Sequence, residues 1–362
     1  MFPRSGTSAT GSGAAHRASA HGSSTRRAST DGSSMRRAPA HGSPTRRASA
    51  RGIAAIASTV AALVLVAGCA SSSTPAASSP TTSGGSFPVT VQATNGAITI
   101  SAEPKHIVSL SPTATEDLYA IGAGSQVVAV DESSDYPADV PKTSLDGVTP
   151  NAEAILKYKP DLVVAQSDSN GLVAAMTKVG VPVLVEPSAT KLTDAYTQIE
   201  QLGQATGHTT AASSTVATMQ KEINAAVAKA GSDHSNLSYY WELSSPAPYY
   251  SATSSTFIGQ IMGLFGAKDI ADSQSTAADG GYPILSTEYI VSSAPQLIFL
   301  ADTVCCAQSA ATVGSRPGWS DIPAVQKNQV VSLNDDIASR WGPRLPLLVE
   351  QIAAAVEKAS GQ

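Results

Sequence analysis

The chain has 362 residues, with 23 Lys or Arg against 28 Asp or Glu and a formal net charge of −5. Nine of the basic residues and one acid precede residue 69, so the remainder carries 14 basic and 27 acidic residues, a net −13. That sign excludes a nucleic-acid binder, which needs a basic face for the phosphates.

Residues 21–50 read HGSSTRRAST, DGSSMRRAPA and HGSPTRRASA, a repeat of low complexity that predicts disorder. Translation from Met35 instead of Met1 would remove most of it. An uncharged run then extends from Gly52 to about Ala70, behind Arg46, Arg47 and Arg51. It sits at the lower limit for a membrane helix, which needs ~20 apolar residues. Basic residues, a short apolar run and small residues in that order predict a secretory signal, so that 1–68 reads as a disordered leader and a lipoprotein signal peptide. Val66-Ala67-Gly68-Cys69 resembles the lipobox of bacterial lipoproteins, which implies that Cys69 is lipidated and becomes the mature N-terminus. The Ser/Thr/Pro/Gly stretch over 69–86 cannot build a core and is expected to be a flexible tether.

Ordered structure is predicted from residue 87. FPVTVQATNGAITI alternates around Asn95-Gly96, a hairpin signal with a type I′ turn. HIVSLSP (106–112) reads as a buried strand leading into the helix TATEDLYAIGAG. QVVAV, DLVVA and PVLVEP are further strands separated by helical patterns, the signature of a parallel α/β sheet. The second half repeats the plan with SYYWEL, TFIGQIMGLFGA, QLIFLA and QVVSL. Four landmarks recur in order: Gly122-Ala123 with Gly266-Ala267, Tyr136-Pro137 with Tyr282-Pro283, Glu153 with Glu288, and Pro160 with Pro295. Between the halves, residues 190–232 read as one long helix, with a possible interruption near Gly207. The expected fold class is α/β: two similar lobes with mostly parallel sheets, at 87–189 and 233–362, bridged by that helix.

Several phrases carry a resemblance: PKHIVSLSPTATEDLYAIGAG, SDYP, NAEAILKYKPDLVVA, FIGQIMGLFGAKDI, YPILSTEYIV, RPGW and GPRL. The constellation resembles the extracytoplasmic substrate-binding lipoproteins of the iron-siderophore and cobalamin ABC importers. The resemblance implies the helical-backbone periplasmic-binding fold and capture of a metal chelate between the lobes. It also implies delivery to a membrane permease driven by an ATPase, with no cofactor of the protein's own. An acidic residue on each lobe of this family meets basic pockets on the permease, and Glu153 and Glu288 stand at the matching positions. Each follows a capping residue, Asn151 or Ser286, so each is expected in the first turn of a helix, where it would also complement the helix dipole by ~0.3–1 kcal/mol.

Ligands of open α/β sheets lie beyond the carboxyl ends of the strands. The loops there offer Tyr136, Gln166, Tyr250 beside Tyr249, Asp336, Arg340 and Trp341, and Tyr282 could enter from its own loop. The rings would stack on a large flat chelate, and one Arg fork would fix a carboxylate or amide. Ordinary packing explains each ring equally well, and Asp336 could simply pair with Arg340. Arg344 is expected to anchor the final helix to its own lobe. SDYP and the Asp336–Arg340 spacing resemble the cobalamin branch, although Gln166 stands where that branch often has a tryptophan. Scarce basic residues disfavour catecholates and leave a corrinoid, a hydroxamate siderophore or haem as the ligand.

No GxSxG elbow, P-loop, CxxC or HExxH is present, and His106, His208 and His234 are scattered, so neither an enzyme nor a metal site is expected. Cys305-Cys306 could be a vicinal disulfide or two buried thiols. The expected partners are a permease with its ATPase, a small-molecule metal chelate and the membrane through lipid on Cys69, with the chain a monomer on the outer face. A chelate- or haem-binding sensor or buffer that works without a permease is the alternative.

Overall fold

The structure is a computed structural model. It describes residues 86–361, so the expected leader, the lipidation site Cys69 and nearly all of the tether lie outside the described residues. The N-lobe comprises, in chain order, β1 (Val89–Ala93), β2 (Gly96–Ile100), β3 (Ile107–Leu110), α1 (Pro112–Ala120), β4 (Val127–Asp131), β5 (Lys142–Leu145), α2 (Ala152–Leu156), β6 (Leu162–Ala165), α3 (Leu172–Thr177) and β7 (Val183–Val185). Two helices follow, α4 (Leu192–Thr206) and α5 (Thr209–Ala230). The C-lobe comprises β8 (Ser238–Glu242), β9 (Tyr249–Tyr250), α6 (Phe257–Gly263), β10 (Lys268–Asp269), β11 (Ile284–Leu285), α7 (Thr287–Ser293), β12 (Leu297–Leu300), α8 (Ala310–Gly314), α9 (Pro323–Gln326), β13 (Val330–Ser332), α10 (Asp335–Ser339) and α11 (Leu345–Ser360).

Both sheets are parallel, in the orders β5-β4-β3-β6-β7 and β10-β8-β12-β13. β3, β6 and β12 are buried at every residue and apolar except for Ser109, because helices cover both faces of a parallel sheet. Successive side chains go to opposite layers. Ile107 joins the large central cluster while Val108 joins the outer cluster of the N-lobe. Tyr239 and Trp241 face the same central cluster while Tyr240 faces the outer cluster of the C-lobe. The central cluster is continuous through Ile199 and Leu202 of α4, Val216, Met219 and Ile223 of α5, and Leu348, Ile352 and Val356 of α11.

Two expectations are revised. The hairpin exists, but Ala93 pairs with Gly96, so its two-residue turn is Thr94-Asn95 and not Asn95-Gly96. The reason is tertiary: the Asn95 amide donates to Val183 O at 2.9 Å and accepts from Val185 N at 3.2 Å, which ties the turn to the edge strand β7. The single helix expected over 190–232 is two helices. Gly207 ends α4 in the left-handed region at φ 81°, a conformation that glycine adopts without steric cost. α4 packs against α5 instead of continuing it, and α5 also packs along α11. The connection between the lobes is therefore a packed pair of helices, the longer being α5 with 22 residues and ~33 Å at 1.5 Å per residue.

Close approach of α4 and α5 requires Gly203, where an added Cβ would collide with the Ala212 methyl. Gly203→Leu is expected to lower the unfolding free energy by about 1–3 kcal/mol, the cost of overpacking a filled interior. Urea unfolding followed by circular dichroism measures it, and an unchanged midpoint would refute the tight contact.

Candidate functional site

The loops at the carboxyl ends of the two sheets meet at a seam between the lobes. From the N-lobe, Ser111 ends β3 and caps α1 through its hydroxyl, with Pro112 at the first helical position, which sets Glu116 one turn into the helix. The loop after β4 adds Ser133, Asp135 and Tyr136. From the C-lobe, Asn334 caps α10, placing Asp336 in its first turn and Arg340 just past its end.

Arg340 is almost fully engaged by protein oxygens. Its Nη1 donates to Glu116 Oε1 at 2.9 Å and Asp135 Oδ1 at 2.8 Å. Its Nη2 donates to Ser133 O at 3.1 Å and Asp336 Oδ1 at 2.6 Å. Arg344 donates from Nε to Glu116 Oε2 at 2.7 Å and from Nη2 to Glu116 Oε1 at 2.6 Å. Its guanidinium also lies over the Tyr136 ring, 4.1 Å from the centroid. Trp341 Nε1 donates to Gln198 Oε1 of α4 at 2.7 Å, and the ring meets Phe257 edge-on. Arg344 was expected to hold the final helix to its own lobe. It holds that helix to the opposite lobe instead, because its partner Glu116 belongs to α1.

The seam thus gathers four of the predicted site residues, Tyr136, Asp336, Arg340 and Trp341. Gln166 lies at the end of β6, where it donates to Ser188 at 2.7 Å. Tyr250 belongs to the small β9–β11 ribbon of the C-lobe, where it pairs with Ile284, and Tyr282 lies in the turn just before β11. The sequence reading missed Glu116, Asp135 and Gln198. The one available signal was the acidic pair Glu116-Asp117 in the helix that follows the first buried strand.

Burial opposes charge throughout the seam. It works against the Arg340 guanidinium, but the bonds from Glu116 and Asp135 outweigh it and raise the group above its ordinary value. Asp135 is held below the usual carboxylate range because the Arg340 bond overcomes burial. Asp336 is pushed up, by burial and then by the charge of Asp135. Behind the seam, Asp117 and Glu186 are buried acids, each with one oxygen that has no hydrogen-bond partner. Burial pushes Asp117 well up and Glu186 to about 8.

Glu153 and Glu288 both stand exposed in helix first turns, as expected. Asn151 accepts from Ala154 N at 3.0 Å and Ser286 from Tyr289 N at 3.1 Å. Among the described residues, neither glutamate takes part in an ion pair. Cys305 and Cys306 are joined in a disulfide, with Cys305 exposed and Cys306 half-buried. Among the described residues no cluster of three or more His, Cys, Asp or Glu could hold a metal ion, and no helix is long and apolar enough to cross a membrane.

Residues 107–337 match the family described as periplasmic binding protein. An ABC transporter substrate-binding lipoprotein of Bacillus subtilis, YvrC, is 33% identical over 308 residues, covering 83% of this chain and 95% of its own. A cobalamin-binding protein of Halobacterium salinarum is 31% identical over 271 residues, 72% of each chain. The crystal structure of the periplasmic vitamin B12 binding protein of Vibrio cholerae superposes with a TM-score of 0.59 at 27% identity, over 71% of this chain and 98% of that one.

Two outcomes follow from the seam. Glu116→Ala leaves the nearly buried Arg344 guanidinium without its carboxylate, takes one of four acceptors from Arg340, and is expected to cost about 3–5 kcal/mol in denaturant unfolding; a loss near zero would mean that the lobes do not depend on this carboxylate. Glu186 is neutral when folded and ionises at a lower pH when unfolded, so its contribution is fully present below the ordinary Glu value of 4.5. That contribution is lost as pH rises towards about 8. Glu186→Gln should therefore raise the melting temperature more at pH 8 than at pH 5, and equal shifts at both pH values would refute the assignment.

Proposed function

Because the chain belongs to the periplasmic binding protein family, we propose that it is the substrate-binding component of an ABC importer, capturing a corrinoid or ferric-siderophore chelate for a membrane permease. The observation that carries this reading is the seam itself. Tyr136, Asp336, Arg340 and Trp341 come from two lobes and converge at the carboxyl ends of both sheets, where α/β folds bind ligands. Relatives named for cobalamin and vitamin B12 favour a corrinoid within the chelate class. The low count of basic side chains at the seam supports a neutral or zwitterionic ligand over a multiply charged anion.

The ligand works as cargo in this scheme, and no residue performs a chemical step on it. Arg340 and Tyr136 would orient it, Trp341 would cover it, and Asp135, the most exposed of the three acids around Arg340, would yield its place on the guanidinium. Glu153 and Glu288, exposed and without ion-pair partners among the described residues, would dock on basic pockets of the permease, one for each lobe. The chain would work outside the cytoplasm, held to the membrane by lipid on Cys69, as the lipoprotein name of the Bacillus relative supports.

The test uses the purified full chain and its tryptophan emission. Trp241 and Trp319 are buried while Trp341 lies at the seam, so quenching reports on that site. One chelate class is expected to quench saturably at micromolar concentration or tighter, among cyanocobalamin, cobinamide, ferric hydroxamates, ferric catecholates and haem. The double reversal Glu153→Lys and Glu288→Lys should keep that binding and abolish uptake by cells that depend on this chain. Folded protein that binds none of the panel would sink the receptor reading. Uptake that survives the double reversal would favour a sensor or buffer acting without a permease.

A further inference from the structure

Cys305 and Cys306 form their disulfide in the loop that leaves the carboxyl end of β12. β12 lies between β8 and β13 in a parallel sheet, so this loop stands beside the one that carries Asp336, Arg340 and Trp341. The two loops are also bonded. The Asp335 carboxylate accepts from Val304 N at 2.9 Å, Cys305 N at 2.7 Å and Thr303 Oγ1 at 3.2 Å. Asp335 is the immediate neighbour of Asp336, which faces the other way and holds Arg340. On the far side of the ring, Gln308 Nε2 donates to Cys306 O at 2.9 Å while its Oε1 accepts from Arg316 at 2.7 Å. Arg316 is itself fixed by two bonds to the buried Glu242.

The ring is therefore held from both sides, with the amides of Val304 and Cys305 turned inward to Asp335. What it presents outward is apolar. Val304 is 67% exposed, more than any other large apolar side chain described, and Cys305 is exposed beside it. An apolar group that is fixed before binding loses little freedom when it is covered, so it contributes to affinity more than a mobile side chain would. A neutral, flat, partly greasy face is the complement of such a surface.

We propose that Val304 and the Cys305–Cys306 ring form an apolar shelf on the C-lobe side of the ligand site, and that the shelf selects a metal macrocycle, a corrin or a porphyrin, over a hydroxamate chelate. The proposal rests on the receptor reading given above and adds the residues that choose among its ligands. No bond is made or broken; the ring acts as a rigid contact surface.

The experiment titrates the full chain with cyanocobalamin, haemin and ferrioxamine, for the wild type, Val304→Ser, and the double variant Cys305→Ser/Cys306→Ser. Macrocycle affinity is expected to fall about fivefold in Val304→Ser and about tenfold or more in the double variant, with ferrioxamine binding unchanged within about twofold. Melting curves accompany each titration, and if the double variant unfolds early, the exposed position 304 decides the question alone. Wild-type affinity for the macrocycle in both variants would overturn the shelf and leave the receptor reading standing. Wild type that binds ferrioxamine and no macrocycle would do the same. Wild type that binds none of the three overturns the shelf, and the broader panel above then decides the receptor reading separately.

Discussion

Two arginines of the C-lobe converge on one buried carboxylate of the N-lobe, and the attachment of the lobes to each other depends on that meeting. Removing an ion from water costs several kcal/mol even after relaxation, and attraction repays it only where nearly every donor finds an acceptor. Glu116 meets the condition with three N–H bonds from Arg340 and Arg344. Two guanidinia against one carboxylate would leave a buried excess of positive charge, which Asp135 and Asp336 neutralise and slightly overshoot. Three acids facing two bases explain why the carboxylates diverge. Asp135 is held low by its bond to Arg340, whereas Asp336, more deeply buried beside a like charge, is pushed up.

This arrangement constrains how a ligand could use Arg340. Nη1 and Nη2, the pair that a forked approach would use, are already shared by Glu116, Asp135, Asp336 and the Ser133 carbonyl. An incoming carboxylate or amide must therefore exchange with one of them. Asp135, with its side chain 48% exposed, has water available to take over its hydrogen bonds; Glu116, at 1%, does not. Exchange at Asp135 leaves the Glu116 attachment intact, so ligand entry and lobe attachment are separable in this geometry. Arg344, bound to Glu116 alone and stacked on Tyr136, secures the seam while Arg340 changes partners.

Much of the fold was legible because it is written locally. Four-residue runs, apolar except for Ser109, gave β3, β6 and β12, and capping residues gave the starts of α2 and α7 with a glutamate in each first turn. β5 was not legible: KTSL has one apolar residue, and its place at the sheet edge comes from pairing with β4. The break between α4 and α5 was marked by Gly207, but their packing together needed Gly203 to meet Ala212, a fact of shape and not of periodicity. The seam was half legible. Strand-end loops pointed to Tyr136, Asp336, Arg340 and Trp341. Glu116 was invisible because its partners lie 224 and 228 positions away, and an acid in a helix has no destination readable from its neighbours.

The lobes contribute to the seam in different ways, and the RPGW phrase shows why. Arg316 reaches Glu242 at the end of β8 through two bonds of 2.6 and 2.7 Å, then Ser245 in the next loop and Gln308 in the loop after β12. Its plane lies over Trp319 and Tyr249, at 4.4 and 5.0 Å from the ring centroids. One side chain thus ties together three segments at the carboxyl end of the C-lobe sheet. A phrase that resembled a family signature is therefore a brace, and the wall it braces includes the disulfide ring. The N-lobe braces its loop with buried hydroxyls instead: Ser134 donates to Asp131 Oδ1 at 2.5 Å and meets the Thr115 hydroxyl at 2.9 Å, while Ser133, Asp135 and Tyr136 also take contacts that come across from the C-lobe. A rigid wall opposite a loop anchored at Ser134 but with exchangeable bonds at Asp135 would suit selective capture: the wall would set which shape fits, and the bonds at Asp135 are those a ligand could replace.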